Sequence, residues 1–324
     1  MNTRKAHLFR WLLAIILIAV LVALAINRQW VYDYARGMIY NPSSEMVKIR
    51  KSLNLTARGE FLFNAAWPKL STRDEFNAYC RKNGEEIAIL GCYTGGNIYV
   101  FDVTDERLKG IRELTAAHEL LHVNFARMSD AEREALRPSL EKTYKENEEI
   151  LKGDLETYDE AEKFEELYVR AGTEVMVLPK DLEDHYAELF IGQDMIVSYY
   201  NSYIRVFREI EAELDDLTEE IKNISNEIES KTTEYESRAA SLNTEIESFN
   251  DCAQTAGCFT SRWEFSNKRN ALVAEQSALD ALYEEVNSLV DEYNVRVEKY
   301  NSDVLESEKL NEIINSSVKP QEIE

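Results

Sequence analysis

Sixteen apolar residues run without a break from Trp11 to Ile26, the longest such run in the 324-residue chain. Leu8 and Phe9 lie just ahead, and Arg10 between them can snorkel back to an interface. The stretch then comes close to the length that spans a bilayer. Arg4, Lys5 and Arg10 precede the apolar core, while Arg28 and Arg36 follow it more sparsely. The positive-inside bias predicts a single transmembrane anchor with its N-terminus in the cytoplasm and the rest of the chain outside. A cleaved signal peptide is the rival expectation, because Ala23-Leu24-Ala25 resembles a small-residue cleavage site. Either way, the remainder is exported.

Beyond the anchor the pattern is mixed. Residues 28–50 read as a charged, partly helical connector with a turn at Asn41-Pro42-Ser43-Ser44. Glu60-Phe61-Leu62-Phe63 reads as a short strand closed off before Pro68. Ser71 or Thr72 can cap a helix running to about Arg81. Two apolar runs, Ile87–Tyr93 and Asn97–Val103, flank Thr94-Gly95-Gly96 and predict a β-hairpin. After Thr104-Asp105, which supply an N-cap, Leu108, Ile111, Leu114, Ala117, Leu121 and Phe125 form an apolar stripe at helical spacing. Ser129 and Glu132 make a capping box for the next helix, which Pro138 should kink or restart and which continues to about Leu151. A further helix is expected over Glu156–Val175, and Pro179 ends the region.

No proline occurs between Pro179 and Pro320. Ile210, Leu214, Leu217, Ile221, Ile224 and Ile228 alternate in steps of four and three. Leu279, Leu282, Val286, Leu289, Tyr293, Val297, Tyr300 and Val304 form a second seam of this kind. The two arms, about 200–249 and 261–312, are nearly equal and joined by a short loop, so they predict an antiparallel helical hairpin about 75 Å long. Two separate helices pairing with partner chains are the alternative.

Composition sharpens this picture. Scarce Gly and Pro, 11 and 5 residues, fit long helices. The balance of 37 basic against 60 acidic residues, net −23, argues against a nucleic-acid partner and leaves most acidic side chains on solvated helix faces. The four cysteines fall into two local pairs, Cys80 with Cys92 and Cys252 with Cys258. Neither has CxxC spacing, so two disulfides are expected rather than a zinc ribbon, provided the chain leaves the reducing cytosol. The first would pin the helix after Thr72 to the hairpin, and the second would staple the tip of the coiled coil.

Candidate chemistry lies in Thr115-Ala116-Ala117-His118-Glu119-Leu120-Leu121-His122. His118 and His122, four apart on a helix, project from one face and can share one zinc ion, while Glu119 sits beside them free to act as a base. Only four histidines occur in the chain, and residue frequencies predict roughly 0.01 chance matches to HExxH.

His118-Glu119-Leu120-Leu121-His122 resembles the active-site helix of the zincin metallopeptidases. The resemblance covers about 105–190, and only the five-residue motif is specific. In the gluzincin branch the third zinc ligand is a Glu on a later helix, often followed by a small and an acidic residue three and four positions on. Glu166-Leu167-Tyr168-Val169-Arg170 is the nearest match and departs from that context at Val169 and Arg170. The metzincin continuation is absent after His122. Glu174 is the rival ligand, and Glu165 is expected to point elsewhere if Glu166 points inward. His185 could itself be a third ligand or, with Tyr168 and Tyr186, a candidate for oxyanion stabilisation. The resemblance further implies that a strand near Ile98–Val103 lies above the site and can hold an extended peptide by strand addition.

The expected fold class is α+β, mainly α. The expected organisation is a cytoplasmic tip and transmembrane anchor over 1–30, a connector over 31–52, and a zincin-like domain over 53–199. An antiparallel coiled-coil hairpin over 200–312 and a flexible tail over 313–324 complete it. The expected function is that of a membrane-anchored, extracytoplasmic zinc (Zn2+) metallopeptidase. His118, His122 and Glu166 are its ligands, Glu119 is its general base, and a peptide or protein is its substrate. The coiled coil is expected to serve a protein partner or self-association. The competing expectation is a membrane-tethered coiled-coil adaptor with an inactive zincin-like domain.

Overall fold

The structure, a computed structural model, describes residues 3–80, 90–153, 155 and 158–316. It is mostly helical with one small sheet, and it divides into two compact units. One comprises residues 1–206 and 310–324, the other residues 207–309.

The first unit opens with α1 (Thr3–Ile26), whose apolar side chains from Trp11 to Ile26 are largely exposed. Helix α2 (Arg28–Ile39) follows, bent from α1 by 76°. Among the described residues, no single helix is long and apolar enough to cross a membrane. Arg10–Ile26 and Arg28–Ile39 meet the length and composition only as a bent pair. A turn at Asn27 separates the two helices, and the connector expected to be partly helical begins as α2.

Residues 28–52 pack into the unit. Asp33 on α2 is buried against Arg127, and α3 (Ser44–Ser52) buries Met46 and Ile49. The stretch Glu60–Phe63, expected as a strand, instead lies inside helix α4 (Ala57–Ala65). The reason is visible outside those four residues. Thr56 caps the helix by accepting from the Gly59 amide, and the buried positions Gly59, Leu62, Phe63 and Ala66 recur at helical, not strand, spacing.

Strand β1 (Lys69–Ser71) therefore follows Pro68 rather than preceding it. Helix α5 (Arg73–Cys80) begins after Thr72, whose carbonyl accepts from the Phe76 amide. Strands β2 (Gly91–Thr94) and β3 (Asn97–Phe101) form the hairpin, while Arg81 and Ile87–Ile89 lie outside the described residues. The sheet order is β1-β3-β2, with β1 parallel and β2 antiparallel to β3. Central β3 has both edges paired, so it offers no edge for strand addition; among the described residues the outer strands are β1 and β2. Cys80 and Cys92 are joined by a disulfide, as are Cys252 and Cys258.

Asp105 caps only a single 3-10 turn at Glu106–Leu108, and helix α6 (Ile111–Arg127) starts after Gly110. Helix α7 (Asp130–Glu146) carries the capping box of Ser129 and Glu132 and runs through Pro138 without restarting. Short α8 (Glu148–Leu151) follows. Helix α9 (Glu160–Glu174) lies against α6, and the Gln193 side chain satisfies the carbonyls of Gly172 and Val175 at its C-terminal end. Helix α10 (Lys180–Tyr186) begins directly after Pro179, where the sequence reading ended the region. The core is built where α6 meets the sheet, α4 and α9, around Leu120, Leu121, Ile98, Val100 and Tyr168.

Two long helices, α11 (Gln193–Gln254) and α12 (Arg262–Ile314), leave and re-enter the first unit. Within the second unit Arg296 pairs with Glu220, Lys231 with Glu285, and Arg238 with Glu275. Residue numbers rise along one helix as they fall along the other, so the pairing is antiparallel. Leu217, Leu242, Leu279 and Leu282 are buried in the seam. In the first unit, Arg73 and Asn77 on α5 hold the backbone of Glu312 and Ser316 beyond the hairpin.

Arg127 and Asp33 form a two-pronged pair at 2.9 and 3.0 Å, with the carboxylate almost fully buried. Removing one partner strands the other charge. Asp33→Ala is expected to cost about 3 kcal/mol in equilibrium urea unfolding. Asp33→Ala combined with Arg127→Met is expected to cost less than Asp33→Ala alone.

Candidate metal centre

His118 and His122 lie one turn apart on α6, and Glu166 reaches them from α9. The two Nε2 atoms are 3.3 Å apart. Glu166 Oε1 lies 3.4 Å from His118 Nε2, and its Oε2 lies 3.5 Å from His122 Nε2. These three residues form a group that could hold a metal ion. The donor set fits zinc: two imidazole nitrogens and one carboxylate are a common catalytic ligand set. The spacing fits as well, because tetrahedral zinc with bonds of about 2.0–2.1 Å separates its ligand atoms by about 3.4 Å. The side chains of His118 and Glu166 keep 25% and 14% of their surface exposed, so the group is not sealed from solvent.

Glu165 was expected to face away, yet its Oε1 lies 2.7 Å from His122 Nδ1. Adjacent residues diverge by about 100° on a helix, but His122 offers a nitrogen on each side of its ring. One nitrogen meets Glu166 and the other meets Glu165. A carboxylate on Nδ1 fixes the tautomer that leaves Nε2 free for a metal. Position 165 thus places a carboxylate on His122, while position 170 carries an arginine.

Arg170 instead sits one turn beyond Glu166 and donates to the carbonyls of Ile150 and Leu151. It also forms a two-pronged pair with Glu174 at 2.9 and 3.0 Å. The structure therefore brings Glu166, not Glu174, to the histidines.

Glu119 is 4% exposed and packs against β2. A Cβ on Gly91 would fall 2.5 Å from its Oε1 and 2.6 Å from Thr115 Cγ2. Only a glycine there leaves room for the carboxylate, and this requirement was invisible in the sequence because it joins residues 28 apart.

Without a cation, the charges sort unevenly. Burial raises the Glu119 carboxyl to about 7, against the opposing pull of His122 and with the help of Glu166 and Glu165. Burial chiefly pushes His118 down to about 4. Burial also works to lower His122, but hydrogen bonds to Glu165 and Glu166 outweigh it and raise the ring to about 10. Burial opposes ionisation of Glu166 too, yet His118, His122 and Arg170 together hold it down at about 2.

Comparisons with known protein families, curated proteins and solved structures found no match.

Tyr168, Tyr186 and His185 form a different cluster. Tyr168 Oη accepts from Asn124 Nδ2 at 2.8 Å and lies 3.0 Å from His185 Nε2, while Tyr186 donates to the Tyr168 carbonyl at 2.6 Å. Asn124 and Tyr168 each come two residues after a group of the centre, His122 and Glu166, or roughly 200° around their helices. They hold the far side of the α6–α9 seam. Burial pushes Tyr168 and Tyr186 well above the ordinary phenol range and lowers His185.

Glu165→Gln is expected to weaken zinc binding about 10-fold or more, measured by competition with a zinc-binding dye. Glu166→Gln should weaken it further, and Glu174→Gln, which only loosens Arg170, should weaken it less than Glu166→Gln. Gly91→Ala is expected to displace Glu119 while zinc content stays the same.

Proposed function

We propose that the chain is a membrane-anchored zinc metallopeptidase whose centre faces the extracytoplasmic side. The observation that carries the reading is the triangle of His118, His122 and Glu166, with Glu119 on the same helix. His118 and His122 supply imidazole ligands, Glu166 the carboxylate ligand, and Glu165 orients His122. Zinc, when bound, supplies Lewis acidity toward a carbonyl oxygen and makes water acidic near neutral pH. Glu119 takes a proton from the attacking water at its carboxylate and returns it to the leaving amine. The missing side chain at Gly91 leaves room for that carboxylate. The apolar run of α1, with Arg4, Lys5 and Arg10 before it, supports an anchor whose N-terminus lies in the cytoplasm.

The purified full chain is expected to carry about one zinc ion per molecule, as a site with three protein ligands holds a single ion. Glu119→Gln should keep that zinc and lose peptide hydrolysis by roughly 100- to 10,000-fold, measured on unfolded casein and on fluorogenic peptides. Failure to retain zinc, or unchanged hydrolysis in Glu119→Gln, would leave the membrane-tethered coiled-coil adaptor as the better reading.

A further inference from the structure

Helix α2 is amphipathic in the reverse sense: its polar side chains turn toward the protein and its apolar ones toward the outside. At about 100° per residue, Asp33, Arg36, Gly37 and Tyr40 share one arc. Asp33 meets Arg127. Arg36 donates to the carbonyls of Ala65 and Gly96 and to Asn97 Oδ1, and Tyr40 donates to the Pro68 carbonyl. The opposing arc holds Trp30, Val31, Tyr34 and Met38, all exposed, with Ile39 at its margin and Met38 and Ile39 each 70% exposed. Arg28 falls between Val31 and Ile39 at the N-terminal end of that arc, and no other charged residue of α2 lies on it. Trp30 stacks on Tyr34 at 5.3 Å and, at the inner edge of the strip, on Phe61 of α4 at 6.2 Å. Single exposed apolar residues are ordinary, but a contiguous apolar strip marks a surface that something covers.

The chain itself points to what covers it. The strip begins directly after α1, whose apolar side chains are exposed on all sides, and α2 turns from α1 by 76°. A helix normal to a bilayer would therefore leave α2 nearly parallel to the membrane plane. Tryptophan and tyrosine are the residues enriched at that depth, and an apolar helix face lies about 5–10 Å into the headgroup boundary.

We propose that α2 lies in the bilayer interface on the face of Trp30, Tyr34 and Met38, so that the domain is docked on the membrane rather than hung from it. The proposal rests on the reading of α1 as a membrane anchor. Docking would be rigid. Arg127, at the end of α6, binds both Asp33 and the Tyr93 hydroxyl on β2, and Arg36 binds the turn between β2 and β3. His122 lies five residues before Arg127, roughly 8 Å along α6. The metal centre would then be fixed close to the headgroups, within reach of membrane-proximal segments of a substrate protein.

The test uses the full chain in phosphatidylcholine vesicles, with or without acyl chains brominated to quench tryptophan. Emission of the intact chain is compared with that of Trp11→Phe and Trp30→Phe, which isolates each component. Docking predicts that the Trp11 and Trp30 components are both lost in brominated vesicles. It also predicts that Tyr34→Glu combined with Met38→Glu restores the Trp30 component, leaving Asp33 and Arg36 in place. A Trp11 component that is quenched beside a Trp30 component that is not would overturn docking and leave the anchor intact. Loss of neither component would overturn the anchor, and docking with it. A Trp30 component shielded only at high chain density, without regard to bromination, would assign the strip to a second copy of the chain and overturn docking.

Discussion

Helix α9 can bring Glu166 within 3.5 Å of two imidazoles on α6 because Gly172 lets the two helices approach. A Cβ at Gly172 would sit 2.7 Å from Leu121 Cδ1 on α6 and 2.7 Å from Tyr186 Cε1 on α10. Interiors are too closely packed to absorb such an overlap without shifting a helix. A shift of even an ångström would break the spacing that suits a tetrahedral ion. The apolar side of the seam, with Leu121, Tyr168 and Tyr186 fully buried, thus sets the polar side, where the histidines meet the carboxylates.

The polar side carries an electrostatic cost of its own. Glu119, Glu165 and Glu166 converge on two imidazoles, and both Glu119 and Glu166 are largely removed from water. In the absence of a cation, a charged His122 offsets part of the repulsion, and Arg170 adds a further positive charge from one turn beyond Glu166. Arg170 is itself fixed by Glu174 and by two carbonyls, so its charge is not free to collapse onto Glu166. A divalent ion between His118, His122 and Glu166 would be the strongest neutraliser of this cluster. The same logic explains why Arg170 replaces the acid expected there: a fourth carboxylate would add repulsion, and Glu165 already serves His122.

Around this centre the molecule is tied together by a few long-range polar contacts. Arg127 joins the end of α6 to Asp33 on α2 and to Tyr93 on β2. The disulfide between Cys80 and Cys92 joins α5 to the same strand, one residue from the Gly91 that faces Glu119. Strand β2 is thereby held from two sides at the point where it touches Glu119. The long hairpin relies on a different economy: a thin apolar seam and ion pairs on its flanks, with Cys252 and Cys258 closing its tip.

Features with local physical causes were legible in the residues alone. The four-residue spacing of His118 and His122, the capping box of Ser129 and Glu132, the two heptad seams and the short-range cysteine pairs each depend on neighbours in the chain. Glu166 was reachable through its motif context, though only the structure separates it from Glu174, which Arg170 occupies. Glu60–Phe63 alone cannot reveal its helix, because four residues are too few to tell a period of 3.6 from one of 2 and the cap at Thr56 lies outside them. Strand addition at β3 is an expectation the pairing overturns, because nothing in the hairpin announces that Lys69–Ser71 will pair with its other side. Glu165, Gly91 and the outward apolar strip of α2 were hidden for one common reason. Each takes its meaning from a partner on another element, and which elements meet is decided by the packing of the whole core.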